Sequence, residues 1–131
     1  MSSGLRYFMV GNFPVKFVPT PSGGLAVLEL NLITGEFQPN LDRYDEVYSR
    51  GAKVDNLSED EFIQRVERIR ARRLRGDGPV FALYELMNGI EDLAKEQNRS
   101  LAPDETALLA SLRRESYARF QAEHPDPVSR A

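Results

Sequence analysis

The chain has 131 residues, 41% of them hydrophobic and 28% charged, with a formal net charge of -3. That is the length of one domain, and the composition is that of an ordinary folded protein able to bury roughly two thirds of its unfolded surface. It contains no cysteine and one histidine, which excludes disulfides, thiolate catalysis and the usual transition-metal sites and leaves only oxygen-ligated calcium or magnesium.

Leu5–Val10 reads as a first strand, aromatic and aliphatic and bounded by Gly11-Asn12. Val15–Val18 reads as a second, boxed between Pro14 and Pro19; because proline donates nothing to a ladder, it is expected to be short or at an edge. A turn over Pro19–Gly24 leads to Leu25–Ile33, the clearest strand pattern in the chain. Ala26, Leu28, Leu30 and Leu32 share one face there, and Leu25, Val27, Glu29, Asn31 and Ile33 share the other, which turns polar in the middle, so the pattern predicts a sheet with one face on a core. Thr34-Gly35 predicts a tight turn, and Glu36–Gln38 starts the return strand before Pro39. Across Asn40–Asn56 the spacing of Leu41, Tyr44, Val47 and Tyr48 predicts a short helix to Ser49, with an extended Glu46–Tyr48 as the alternative, and Ala52–Val54 a further short strand.

Ser58–Gly76 is the best-signed element. Ser58 and Glu61 form a capping box, and Leu57 can staple onto Phe62. Glu59, Asp60 and Glu61 crowd the first turn and Arg72, Arg73 and Arg75 the last, each matched to the helix dipole, and Gly76 stands where a left-handed C-terminal residue is wanted. Phe62, Ile63, Val66, Ile69 and Leu74 make the apolar stripe, while Arg65, Arg68, Arg72 and Arg75 share another face. After Gly76-Asp77-Gly78, Pro79 opens a helix over Val80–Gln97 with an unusually wide apolar surface; it is either central to the fold or partly at an interface. Pro103–Glu123 is the third helix, with Leu108, Leu109, Leu112, Tyr117 and Phe120 on a narrower stripe. These two should pair as a helical hairpin. Residues 124–131 read as a tail.

Few residue patterns point to chemistry. His124 sits beside Pro125 at the end of the last helix, without the orienting partner that a catalytic base needs. The acids Asp42, Asp45, Glu46 and Asp55 lack the spacing of a calcium loop, and neither glycine pair belongs to a nucleotide-binding fingerprint. Arginine outnumbers lysine 14 to 3, and the Arg65–Arg75 run sets six arginines against one acid, Glu67. Such a face can hold carboxylate or phosphate. Against that, Glu61–Arg65 and Glu67–Arg70 are within helical pairing reach, and acids of the next helix can neutralise the rest.

The sequence therefore predicts a single α+β domain. Residues 1–57 form a small antiparallel meander of three to four strands, and three helices from residues 58–123 cover one of its faces. It assigns no catalytic, cofactor-binding or metal-ligating residue and no cofactor. The expected protein is a cytoplasmic, non-catalytic interaction module of adaptor, regulatory or inhibitor/immunity type, which self-associates or binds a protein partner. No apolar run is long enough to span a membrane, and the N-terminus lacks a signal-peptide pattern. Arg65, Arg68, Arg72, Arg75, Phe81 and Tyr84 are the candidate partner-binding residues. Nucleic-acid binding through the arginine face is the alternative, and an enzyme of carboxylates and arginines alone is the second.

Overall fold

A computed structural model describes residues 4–49, 51 and 53–127. Five strands form one antiparallel sheet: β1 (Arg6–Val10), β2 (Phe13–Pro19), β3 (Leu25–Leu30), β4 (Phe37–Pro39) and β5 (Val54–Leu57), in the order β4-β3-β2-β1-β5. The first four are the expected meander. The fifth exceeds the predicted count, because the chain crosses back over the sheet and lays Val54–Leu57 along β1, with Val10 opposite Val54 and Tyr7 opposite Leu57. The expected strand at Ala52–Val54 thus starts later, and Ala52 lies outside the described residues.

β2 departs further from expectation. It is the central strand, despite its two prolines. Pro14 pairs with Met9 and Pro19 with Leu25, so the missing donors fall at the ends of the ladder and the middle stays continuous.

Both sheet faces are apolar. Phe8, Val10, Val15, Phe17 and Val27 form a core on one side, with Val47 and Val54 against it. The short helix α1 (Asp42–Val47) lies there, its Tyr44 ring stacked on Phe17 at 5.6 Å. Leu28, Leu30 and Phe37 face the other way and meet Phe62 and Val66 of the long helix α2 (Glu59–Arg73). Phe62 is fully buried, between the rings of Tyr7 and Phe37 at 4.8 and 5.8 Å. Taking such a ring out of water stabilises the fold by about 2–3 kcal/mol.

α2 starts as its sequence demands: the Ser58 hydroxyl accepts from the Glu61 N–H at 3.1 Å, and the Glu61 carboxylate accepts from the Ser58 N–H at 2.8 Å. Its end differs. Leu74 is already extended, and Gly76 is not left-handed. A side chain at Gly76 would instead meet the Phe81 ring at 2.8 Å, so glycine is needed for close approach and not for handedness.

α3 (Pro79–Glu96) and α4 (Pro103–Glu123) complete the fold as a helical hairpin. α3 closes with Asn98 left-handed, Asn98 N–H bonded to Lys95 and Arg99 N–H to Ala94, a Schellman ending made by asparagine. α4 opens with the Glu105 carboxylate on the Ala102 N–H at 2.8 Å. α2 and α4 pack on each other, and α3 packs on that pair around Ala71, Val80, Tyr84, Met87, Leu109 and Phe120. Among the described residues no helix is long and apolar enough to cross a membrane.

Candidate functional site

α2 carries charge on two faces. Phe62, Val66, Arg70 and Leu74 follow at four-residue intervals, so the stripe that buries Phe62 also carries Arg70 inward. Arg70 is 1% exposed and Glu67 0%. Their guanidinium and carboxylate meet at 2.8 Å. The other Glu67 oxygen accepts from Tyr84 Oη at 3.0 Å and Ser116 Oγ at 2.6 Å. Arg70 Nε donates to the Gly35 carbonyl and Nη2 to Gln121 Oε1, each at 2.9 Å, while the guanidinium lies 3.8 Å from the centre of the Phe120 ring. Gln121 Nε2 continues to Asp126 at 3.0 Å, and Asp126 takes Lys16 Nζ at 2.5 Å. Lys16 projects from β2 over the Phe37 ring, 4.1 Å from its centre.

This chain of polar groups joins β2, the β3–β4 turn, α2, α3, α4 and the segment after α4. Asp126 belongs to it, so the expected tail is engaged at least that far; 128–131 lie outside the described residues. Burial pushes the Glu67 carboxyl up, against the pull of Arg70 and its hydrogen bonds, and pushes the Lys16 ammonium down against the pull of Asp126. Burial and the nearby Glu67 hold the Tyr84 hydroxyl far above its ordinary value. A carboxyl raised by burial is a signature of catalytic acids. Here both its oxygens are taken and no solvent reaches it, so it ties elements together.

Of the four arginines expected on one helical face, Arg65, Arg68 and Arg72 are exposed on α2, whereas Arg75 falls beyond the helix end at Arg73, because Leu74 is already extended. Arg72 pairs with Asp92 at 3.0 Å and Glu91 at 3.5 Å. Arg75 turns back onto the end of its own helix, donating to the carbonyls of Ala71, Arg72 and Leu74. Arg68 reaches Glu91 only at 3.9 Å, and Arg113 of α4 shares that carboxylate at 3.5 Å. Burial and the nearby Arg68 push Arg113 down, with Glu91 opposing them. Among the described residues Arg65 and Arg73 have no carboxylate within 4 Å. Arg65, Arg68 and Arg73 rim a dip of about 320 Å³ whose other lining residues are Met9, Leu32, Ile69 and Asn12, with no acid among them.

The two aromatic candidates separate. Phe81 is half-buried beside a groove of about 540 Å³ between the end of α2 and the start of α3. Tyr84 is 2% exposed, because its hydroxyl is drawn inward to Glu67; that placement corrects the expectation of a partner-facing tyrosine. On the hairpin, Leu86 and Leu93 of α3 are 51% and 47% exposed, and Leu108 of α4 is 47% exposed. Leu86, Ile90 and Leu93 share one side of α3 by helical spacing, and Leu93 and Leu108 both lie within two turns of the α3–α4 connection.

Among the described residues no group of three or more histidines or acids is placed to hold a metal ion. No protein-family model, curated protein or solved structure matches the chain.

Proposed function

We propose that this protein is a non-catalytic interaction module, working through the outer surfaces of its helices. The observation that carries the reading is the half-exposure of three leucines, Leu86, Leu93 and Leu108, on the α3–α4 hairpin. Single exposed leucines are common on any protein. Three on one hairpin, two of them in register on one helix side, offer an apolar contact that a second chain can cover. The interior supports the same reading: among the described residues, the one buried carboxyl that burial pushes up, Glu67, is taken up by Tyr84, Ser116 and Arg70.

The expected result in light scattering is a mass above the 14.8 kDa of one chain, with the leucine hairpin as the contact. Leu86→Glu with Leu93→Glu should return it to one chain without unfolding it, since both residues already face water. A strictly monomeric protein, or an assembly unmoved by these substitutions, counts against the leucine surface. Nucleic-acid binding has less support, because Glu91 and Asp92 stand among the arginines and would repel a phosphate backbone laid along them.

A further inference from the structure

We infer that the dip between α2 and the sheet receives an acidic segment of a partner protein, one that carries an apolar side chain between its carboxylates. This extends the interaction-module reading to a second surface, distinct from the leucine hairpin, and rests on that reading.

Three features define the occupant. The rim is cationic and only weakly neutralised: Arg65 and Arg73 have no carboxylate within 4 Å among the described residues, Arg68 has one only at 3.9 Å, and the acids beside Arg65, Asp60 and Glu61, lie on its other side, outside the dip. A guanidinium presents a planar fork that matches a carboxylate with two parallel hydrogen bonds, which a lysine cannot do. The floor, Met9, Leu32 and Ile69, is apolar, and its volume of about 320 Å³ is at the small end for ligand sites, suited to one large side chain. A purely ionic partner would leave that floor wet. A carboxylate-flanked leucine or phenylalanine would fill it and bring its neighbours to the rim.

The same features disfavour a nucleic acid. No aromatic side chain lines the dip, so a base would have nothing to stack on. Along the helix the positive rim gives way to the Arg72–Asp92 and Arg72–Glu91 pairs, which interrupt any longer phosphate track. The chain as a whole carries -3, so no broad positive field supports such binding.

The test is fluorescence anisotropy of the full chain with three fluorescein-labelled probes: a twelve-residue peptide alternating glutamate and leucine, a twelve-residue oligoglutamate, and a twelve-nucleotide oligothymidylate. The glutamate–leucine peptide should bind, the oligoglutamate several-fold more weakly, and the oligothymidylate more weakly still. Charge reversal by Arg65→Glu with Arg73→Glu should weaken the peptide at least about tenfold, and Arg65→Gln with Arg73→Gln by a smaller factor. Reversal of two arginines elsewhere, Arg114→Glu with Arg119→Glu, should leave it within about twofold. Thermal melts of every variant report folding; the glutamine pair should melt close to the parent, and the glutamate pair a few degrees lower, because it sets acids against Glu61 and the helix C-terminus without touching the core. The inference is overturned by peptide binding that ignores the Arg65/Arg73 substitutions, by equal weakening from the control pair, by oligothymidylate binding more tightly through the same arginines, or by no peptide binding. Because none of these variants touches Leu86 or Leu93, a failed dip with intact self-association rejects this inference alone, and lost self-association with intact peptide binding rejects only the leucine surface.

Discussion

Arg70 and Arg65 leave the same helix in opposite directions, and their surroundings differ as sharply as two positions in one protein can. Arg70 is enclosed, every arm of its guanidinium assigned to a carboxylate, a carbonyl or an amide. Arg65 stands at the rim of an apolar dip with no acid within 4 Å among the described residues. The contrast teaches that a count of arginines along a helix says little about what they do. A buried charge is fixed by its partners, since losing one leaves the other stranded, whereas an exposed charge is available to whatever arrives.

The sharpest way to break that contrast is to empty the inside. Arg70→Met strands the Glu67 carboxylate and removes donors from Gly35 and Gln121, so urea denaturation should show a loss of about 3–5 kcal/mol. Removing both charges, Arg70→Met with Glu67→Leu, should cost less than the two single changes summed, because no unpaired charge is left buried, although the Tyr84 and Ser116 hydroxyls lose their acceptor and the Gly35 carbonyl its donor. An Arg70→Met protein as stable as the parent would show that the inner pair ties nothing together. Next in size, Ser116→Ala or Tyr84→Phe deprives the Glu67 carboxylate of one donor, at about 1–3 kcal/mol each by the same measurement. Ser58→Ala, which opens the capping box but spares both charged faces, should cost about 1 kcal/mol.

Acid titration separates the faces differently. Arg99 and the Ala102 N–H hold the partly exposed Glu105 carboxyl at about 2, below its ordinary 4.5. Its folded value is depressed, so its contribution is complete above about 4.5 and is lost as the pH falls towards about 2. Arg99→Gln should flatten that part of the stability-pH curve. Glu67 runs the other way: burial raises it, so its contribution is present at low pH and declines as the pH rises through its folded value. The smallest effect is expected at the rim, where Arg65→Gln should change stability by no more than about 0.5 kcal/mol. A larger loss would mean that Arg65 is structural after all.

Much of this fold was readable because local and global signals agree. The capping box, the acidic first turn and the prolines at the starts of α3 and α4 fix where helices begin, and the alternation in Leu25–Leu30 fixes which side chains meet α2. The central place of β2 was hidden, because proline argues for an edge until the register shows both prolines at the ends of the ladder. In the sequence Gly76 has the place of a helix terminator, yet a ring from α3 sets its requirement, a contact no local pattern encodes. Arg70 was readable in principle: it occupies the four-residue step between Val66 and Leu74, and only its grouping with the other arginines concealed it. Lys16 and Asp126 were not readable as partners, since nothing in either neighbourhood names the other. For the dip, Arg65 and Arg68 were among the expected contact residues, but Arg73 had been assigned to the helix dipole, and the floor comes from three elements that only the tertiary fold brings together.

The Lys16–Asp126 contact spans 110 positions of the chain. In a polypeptide made from its N-terminus, the second strand is finished long before the acid that answers its ammonium has been synthesised. The helix-facing side of the sheet must wait uncovered in the meantime, because α2 and α4 come later and the loop to be closed is long. A nascent chain halted before its last helix would present a greasy surface studded with an unanswered cation, the kind of intermediate that chaperones hold and that sticks to its neighbours when they do not.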